Sequence, residues 1–374
     1  MKILFLTNLC PPYRLPLFET LSREYDVCFV FTKEGSLAAQ ARGSYSGWTN
    51  FGKLRYSLCL TKIRLALKLL GADYDVLVAD FPVWDSWFEF IIARLRRKRV
   101  IFWVEEWHQP RTLIRNLSSP ILRYMANSCD AIVASGSAAK AHMIDYGAIS
   151  QKIFIAPDVS EVEEVPKRTS KARALASSNN FVILYLGRLV RYKGAEYLIK
   201  AFSRLEKERD NVKLVIVGNG NFRSVLEQMV QELELQNVEL IGACDDRNKP
   251  LYYSMCDLFV LPSIWQHDYC EAWGLVLNEV MQFGKPVIAT DAVGSAFDLI
   301  KNGVNGYMVR NTDVDSLYQA IKKIVENPKL AKTMGVQSKR IIEEGFTYTH
   351  MIRGFKDAIS FVKQNPRNKR GSSE

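Results

Sequence analysis

No window of this sequence supplies the roughly 18 consecutive apolar residues that a membrane-spanning helix needs. The apolar start, Ile3 to Leu6, is too short for a secretory leader and runs into Pro11-Pro12, so a first β-strand and a cytoplasmic protein are expected. Cysteine is sparse: seven residues, an odd number, with no C-x-x-C pair, which argues against a disulfide framework or a zinc ribbon. These thiols read as free, in core or loop positions. Zinc-finger spacing, an RNP motif and a basic helical arm are also missing, so nucleic acid ranks last among anionic partners. A third glycine is absent after Gly218-Asn219-Gly220, where the chain continues Asn221-Phe222-Arg223. A lone G-x-G of this kind is weak support for a dinucleotide fold.

What is present fits a soluble globular chain. Its 374 residues suffice for two domains, each able to bury a core, at 48% hydrophobic and 24% charged residues. A net charge of +10 points to anionic partners, nucleotide phosphates or an anionic membrane surface among them. In the first half, Lys2 to Thr7, Val27 to Phe31, Val76 to Ala79, Val100 to Val104, Ala131 to Ala134 and Ile153 to Ile155 read as strands, with helical patterns between most of them. The alternation predicts an α/β fold with a parallel sheet covered on both faces, and ligands beyond the carboxyl ends of its strands. In the second half, Phe181 to Leu186, Leu214 to Val217 and Val238 to Gly242 continue the pattern.

The most informative stretch runs from Asp257 to Gly294. Asp257 to Leu261 reads as a buried strand ended by Pro262-Ser263, and a polar loop then delivers Glu271. Gly274 opens an amphipathic helix with Leu275, Val276, Val280 and Met281 on its apolar side, stopped by Gly284-Lys285-Pro286. Val287 to Ala289 is the next strand. The amides of Gly274 and Leu275 fall at a helix start, which favours an anion. Glu271 and Glu279, one on each side, repel phosphate but accept from hydroxyls. Hydroxyls at both ends with phosphate between them describe a sugar nucleotide. An ordinary surface acid plus a helix-face acid is the bland alternative on spacing alone.

E-A-W-G-L-V-L-N-E resembles the E-x7-E signature of the retaining GT-B glycosyltransferases of family 4 (glycosyl transferases group 1), with L-P-S before it and G-K-P-V-I-A-T-D and N-G-x-N-G-Y after it. The resemblance covers most of the second half; the first half matches in outline only. It implies two Rossmann-like domains facing an interdomain cleft: residues 1–165 for the acceptor, 178–346 for the nucleotide sugar, and a helix at 347–364 crossing back. Gly187-Arg188-Leu189 and Lys193-Gly194 resemble the family's G-R-L…K-G element, in which Arg188 and Lys193 would neutralise the donor diphosphate, one as a fork and one as a point charge. Glu271 would hold donor-sugar hydroxyls, Gly274 and Leu275 would offer amides, and Glu279 would take ribose hydroxyls. The loop Asn8 to Arg14 lacks the Gly-Gly found in many relatives. Proline there removes a donor N–H, and Arg14 is the cation available at that strand end. Glu105-Glu106-Trp107-His108 stands where relatives often hold a His-Asp pair, making Glu106 and His108 candidates on the acceptor side. Ser135-Gly136-Ser137 resembles a cleft-facing turn of the family, or is simply a helix start.

Further stretches carry weaker signals. Gly43 to Lys53 reads as a Gly-, Ser- and aromatic-rich loop, Val162 to Asn180 as a linker, and the tail from Asn365 as unstructured. Ser57 to Leu70 reads as a basic apolar helix. Trp84 to Ile92, followed by Arg94, Arg96, Arg97, Lys98 and Arg99, suggests a second. Such helices either dock on anionic lipid or pack on a core with a charged rim. His267-Asp268-Tyr269-Cys270 invites a metal reading, but nothing near it in sequence completes a ligand set, and the resemblance implies no metal and no cofactor besides the donor. The expected activity is hexosyl transfer from a UDP- or GDP-sugar to a glycan or lipid-linked acceptor, peripheral to the cell membrane. A GT-B-fold sugar-nucleotide epimerase and an NAD-dependent Rossmann oxidoreductase are the alternatives.

Overall fold

The computed structural model describes residues 1–32, 54–82, 86–108, 112–162, 180–266 and 269–365. The loop expected at Gly43 to Lys53, Trp84, most of the linker from Val162 to Asn180, the His267-Asp268 pair and the tail beyond Asn365 lie outside those residues. The chain divides into two compact units, Met1–Val159 with Tyr348–Glu374, and Ser160–Thr347.

In the first unit, β1 (Lys2–Thr7), β2 (Asp26–Phe31), β3 (Tyr56–Leu58), β4 (Val76–Phe81), β5 (Arg99–Val104), β6 (Ala131–Ala134) and β7 (Ile153–Ile155) form one parallel sheet in the order β3-β2-β1-β4-β5-β6-β7. The central strands are near-continuous apolar runs because helices cover both faces. Helices α1 (Leu15–Glu24), α2 (Lys62–Gly71), α3 (Ser86–Leu95), α4 (Leu113–Ser128) and α5 (Ser137–Asp145) follow their strands. Leu69 of α2, Phe90 of α3, Met125 of α4 and Met143 of α5 share one core on one side of the sheet. Leu17, Phe18 and Leu21 of α1 belong to the core on the other. The helix expected from Ser57 is shorter than the pattern suggests. Tyr56–Leu58 is an edge strand beside β2, and the Thr61 side chain accepts from the Arg64 amide at 3.3 Å, fixing the helix start at Lys62.

The second unit repeats the plan with six strands. They are β8 (Phe181–Leu186), β9 (Val212–Val217), β10 (Val238–Gly242), β11 (Leu258–Leu261), β12 (Val287–Thr290) and β13 (Gly306–Val309), all parallel, in the order β10-β9-β8-β11-β12-β13. The helices are α6 (Ala195–Glu206), α7 (Arg223–Glu232), α8 (Lys249–Met255), α9 (Leu275–Gln282), α10 (Ala296–Leu299), α11 (Val314–Val325) and α12 (Pro328–Gly345). Helix α13 (Tyr348–Gln364) lies in the first unit, on α1 and β5 to β7. Its Phe355 meets Trp103 edge-on at 5.2 Å, and a Cβ at its Gly354 would collide with the Ile155 carbonyl.

Each sheet has one point where the winding reverses. In the first unit it lies between β1 and β4, in the second between β8 and β11. Loops leaving the carboxyl ends of those strands diverge to opposite faces, which is where open α/β sheets bind ligands.

Candidate active site

The second unit gathers the sequence candidates at its reversal point. Leu186 ends β8, and the chain turns through Gly187 and Arg188 into a short 3-10 turn, Arg191–Lys193, before α6. The turn after β9 packs directly on it. Gly187 donates its amide to the Val217 carbonyl at 3.0 Å, and Leu189 donates to Asn219 at 2.9 Å. A Cβ on Gly218 would overlap the Gly187 carbonyl, and one on Gly220 would overlap that of Leu189. The G-x-G pair therefore exists for backbone packing under the Arg188 turn, which accounts for the missing third glycine of a dinucleotide loop.

Lys193 and Glu271 meet in an ion pair that joins the loop after β8 to the loop after β11. The backbone makes that meeting possible. Gly194 has φ 67°, and any Cβ there would strike the Pro262 carbonyl, while Ile264 donates its amide to Tyr192 at 2.7 Å. Glu271 is tied to a third loop, donating its amide to Ala292 and accepting from Gly294, both at 3.0 Å. Arg188 is exposed, donates to the Tyr192 hydroxyl, and holds its guanidinium 5.7 Å from that ring. The Lys193 ammonium lies 5.6 Å from the same ring. Tyr192 thus sits between the two cations. Lys193, expected as an open phosphate contact, is buried and has a carboxylate partner.

Gly274 adopts the left-handed conformation, φ 93°, and brings no side-chain cap to α9, so the first-turn amides at Leu275 are left to solvent or a ligand. The interior of the E-x7-E segment is structural. Trp273 donates its indole N–H to Asn278 at 2.8 Å, holding the loop against the helix it precedes. The buried stripe also differs from the expectation: Leu277, Asn278 and Glu279 are buried with Val280 and Met281, while Leu275 and Val276 are half-buried.

Glu279 lies inside the unit, with only 5% exposed. Its carboxylate accepts from the Tyr253 hydroxyl at 2.6 Å and the Ser160 hydroxyl at 3.0 Å, and stands 3.5 Å from the Lys249 ammonium. Burial and the Glu279 charge hold the Tyr253 phenol well above its ordinary range, so it stays protonated and donates. A carboxylate offers about four acceptor positions, so three protein partners leave about one for a ligand.

The first-unit candidates also come with partners. Arg14, expected as an available cation, is buried after β1. It is paired with Glu105 and stacked on the Trp103 ring at 4.2 Å. Asp80 of β4 accepts from the Thr7 hydroxyl at 2.8 Å and the Asn8 amide at 3.2 Å. Asp158 completes this acidic surround. Burial pushes its carboxyl up, with Arg14 pulling the other way. Glu106 is held by Arg115 of α4 on two oxygens, with the His142 Nε2 of α5 3.7 Å away. His142, rather than the candidate His108, is the histidine beside Glu106; His108 lies against Trp107, ring centres 6.5 Å apart. Among the described residues, no three His, Cys, Asp or Glu side chains gather as a metal set.

Residues 166–341 match the model of the family described as Glycosyl transferases group 1. That match spans the Arg188 turn, Lys193 and both ends of the E-x7-E segment. The second unit belongs to glycosyl transferases group 1, and the protein is a glycosyltransferase. The chain is 27% identical to the O-antigen chain mannosyltransferase C of Escherichia coli over 77% of its own length and 76% of that protein's. It is 28% identical to the capsular polysaccharide biosynthesis glycosyltransferase CapM of Staphylococcus aureus, over 46% of this chain and 43% of CapM. Among solved structures, Anabaena HepE in complex with UDP shares the fold at a TM-score of 0.77, with 20% identity, over 96% of this chain and 100% of that one. The GT-B fold follows: two Rossmann-like units, each a parallel sheet flanked by helices.

Sequence reasoning did not find Tyr192, Tyr253, Ser160, Arg115 or His142. Tyr192 was the accessible one, an aromatic residue lodged between Arg191 and Lys193 of the R-Y-K-G run. The others act across separations that no local pattern reveals.

Proposed function

We propose that this group 1 glycosyltransferase moves a hexose from a UDP- or GDP-linked nucleotide sugar to a glycan or lipid-linked acceptor, in synthesis of a cell-surface polysaccharide or glycolipid. The observation that carries the reading is the Lys193–Glu271 pair at the reversal point between β8 and β11, with exposed Arg188 and the uncapped start of α9. One cation, one half-neutralised cation and a helix start suit a diphosphate; a carboxylate fixed among them suits a sugar hydroxyl. The names of the two relatives, a mannosyltransferase and a capsule glycosyltransferase, support the polysaccharide setting, and the UDP held by HepE supports a nucleotide donor.

In this reading Arg188 and Lys193 meet the charge that builds on the leaving diphosphate, and Glu271 orients both Lys193 and the sugar. The amides of Gly274 and Leu275 face a phosphate, and Glu279 uses its remaining acceptor position for a ribose hydroxyl. The bond from the anomeric carbon to the phosphate oxygen breaks, the acceptor oxygen joins that carbon from the same face, and the acceptor proton passes to the leaving phosphate. The configuration is retained. No metal ion is assigned a part. The first unit takes the acceptor, with Glu106, His108 and the Arg14 cluster as its polar groups. A lipid-linked acceptor goes with a peripheral position on the inner face of the cell membrane.

The test is a thermal-shift screen of UDP- and GDP-sugars, followed by nucleotide release with and without acceptor. One donor series raises the melting temperature by mass action, and release depends on acceptor. A donor epimerised with no acceptor present makes the protein an epimerase instead. No shift with any nucleotide sugar, but one with NADH, removes the reading.

A further inference from the structure

Arg188 enters the donor site on a fixed backbone. Its carbonyl accepts from the Tyr185 hydroxyl at 2.9 Å, and the next residue, Leu189, donates its amide to Asn219 at 2.9 Å. Tyr185 is buried, so this anchor belongs to the core. The Arg188 side chain beyond it is exposed, and among the described residues it has no carboxylate partner. Lys193 differs: it is buried and paired with Glu271. The free positive charge at this turn is therefore mainly that of Arg188. A long side chain left to itself spreads over many rotamers, and a cation that must meet a diphosphate in one geometry binds less well for it.

Tyr192 supplies the support that a carboxylate does not. The Arg188 guanidinium donates to the Tyr192 hydroxyl and stands 5.7 Å from the centre of its ring, and the Lys193 ammonium stands 5.6 Å from the same centre. Both lie inside the roughly 6 Å range over which an aromatic ring attracts a cation. The hydroxyl takes one of the five guanidinium N–H groups, which leaves the others for phosphate oxygens.

Tyr192 is itself held from several sides. It is the middle residue of the 3-10 turn Arg191–Lys193. Its carbonyl accepts from the Ile264 amide at 2.7 Å. Its ring packs on that of Tyr269, centres 5.4 Å apart. Tyr269 in turn exchanges two backbone hydrogen bonds with Gln266, at 2.8 and 3.0 Å. The loop after β11 thus braces Tyr192 with two of its residues and brings Glu271 to Lys193 with a third. An exposed arginine tied to a neighbour adds little to folding stability. What the tie does change is where the guanidinium stands when an anion arrives.

We propose that Tyr192 is a positioning residue, which holds the Arg188 guanidinium beside Lys193 so that the two cations together take the second phosphate of a nucleoside diphosphate. This rests on the donor reading above, in which Arg188 and Lys193 meet the leaving diphosphate. Tyr192 acts through Arg188. Its hydroxyl fixes the direction of the guanidinium and its ring fixes the distance.

The experiment is titration calorimetry of the full-length protein with UDP against UMP and GDP against GMP, which isolates what the second phosphate adds. Wild type binds the diphosphate of one base at least about tenfold more tightly than its monophosphate. Tyr192→Phe keeps the ring and loses the hydroxyl, so that preference falls about threefold. Tyr192→Leu loses both and removes most of it. The monophosphate affinity of each variant stays within about twofold of wild type, and the Phe variant keeps the wild-type melting temperature, because the braces on Tyr192 use its backbone and ring. Arg188→Ala also loses the preference, and Tyr192→Phe added to it changes the remainder by less than about twofold, as expected when one residue acts through the other. A Tyr192→Phe variant with the full preference, beside an Arg188→Ala variant without it, overturns the proposal and leaves the donor reading standing. So does a Tyr192→Phe variant that weakens monophosphate and diphosphate alike, which makes the residue structural, or one whose effect persists in the Arg188→Ala background. A wild type without the diphosphate preference, or an Arg188→Ala variant that keeps it in full, removes the donor reading and the role of Tyr192 with it.

Discussion

Lys193→Ala, taken with Glu271→Ala and the double substitution, separates what the ion pair does for folding from what it does for transfer. The two side chains retain 10% and 15% of their surface. Breaking a buried pair by deleting one partner costs about 3–5 kcal/mol, and breaking an exposed one about 0–1. These exposures place the pair nearer the buried limit, so each single substitution costs about 2–3 kcal/mol. For a unit of this size that lowers the melting temperature by about 4–12 °C. The double variant removes the orphaned charge as well, and a coupling of about 1–2 kcal/mol should restore part of the stability. Turnover behaves differently. Each single variant loses at least tenfold, about 1.4 kcal/mol of barrier, and the double variant recovers none of it, because phosphate and sugar still lack their partners. Melting curves and nucleotide release measure the two quantities on the same samples. Lys193→Ala with near-normal turnover refutes the charge-neutralising role. A double variant as unstable as the two singles combined refutes the pairing.

Gly194→Ala forces a side chain into a left-handed position and onto the Pro262 carbonyl, so it should lower the melting temperature and abolish the nucleotide-sugar shift together, while alanine at the open Gly147 position should leave the donor shift unchanged. Tyr253→Phe removes a donor from buried Glu279 and should cost about 1–3 kcal/mol by chemical unfolding; a cost near zero would show that the carboxylate is satisfied without it. EDTA should leave transfer unchanged, and loss of activity restored by a divalent cation would contradict the metal-free reading. Burial pushes Cys10, Cys129 and Cys256 up to about 12, so at pH 8 only about one part in ten thousand is thiolate. A thiol reagent should spare these three in the native protein and modify them once denaturant is added.

The sheets were legible because their central strands are buried on both faces and so read as unbroken apolar runs. Tyr56–Leu58 and Gly306–Val309 were not, since both are short edge strands whose residues look like the start of a helix and the end of a turn. At the site, the acids of E-x7-E and the cations of G-R-L…K-G stand out because spacing and a helix start give them a local signature. Their partners do not. Ser160 and Glu279 are 119 residues apart, and Lys193 and Glu271 are 78 apart, so only the winding order of the sheet brings them together. Arg14 was legible only in part: a cation after a first strand shows in the sequence, whereas Glu105 and Trp103, two strands away in the sheet, which enclose it, do not.

Amide hydrogen exchange with and without the nucleotide sugar that gives the largest thermal shift tests the central claim most directly. A donor held at the reversal point of the second sheet slows exchange in Gly187 to Gly194 and in Glu271 to Leu277, and the Lys193→Ala variant shows little of that protection. Protection confined to the first unit, or spread evenly over both with those two segments unchanged, would contradict it.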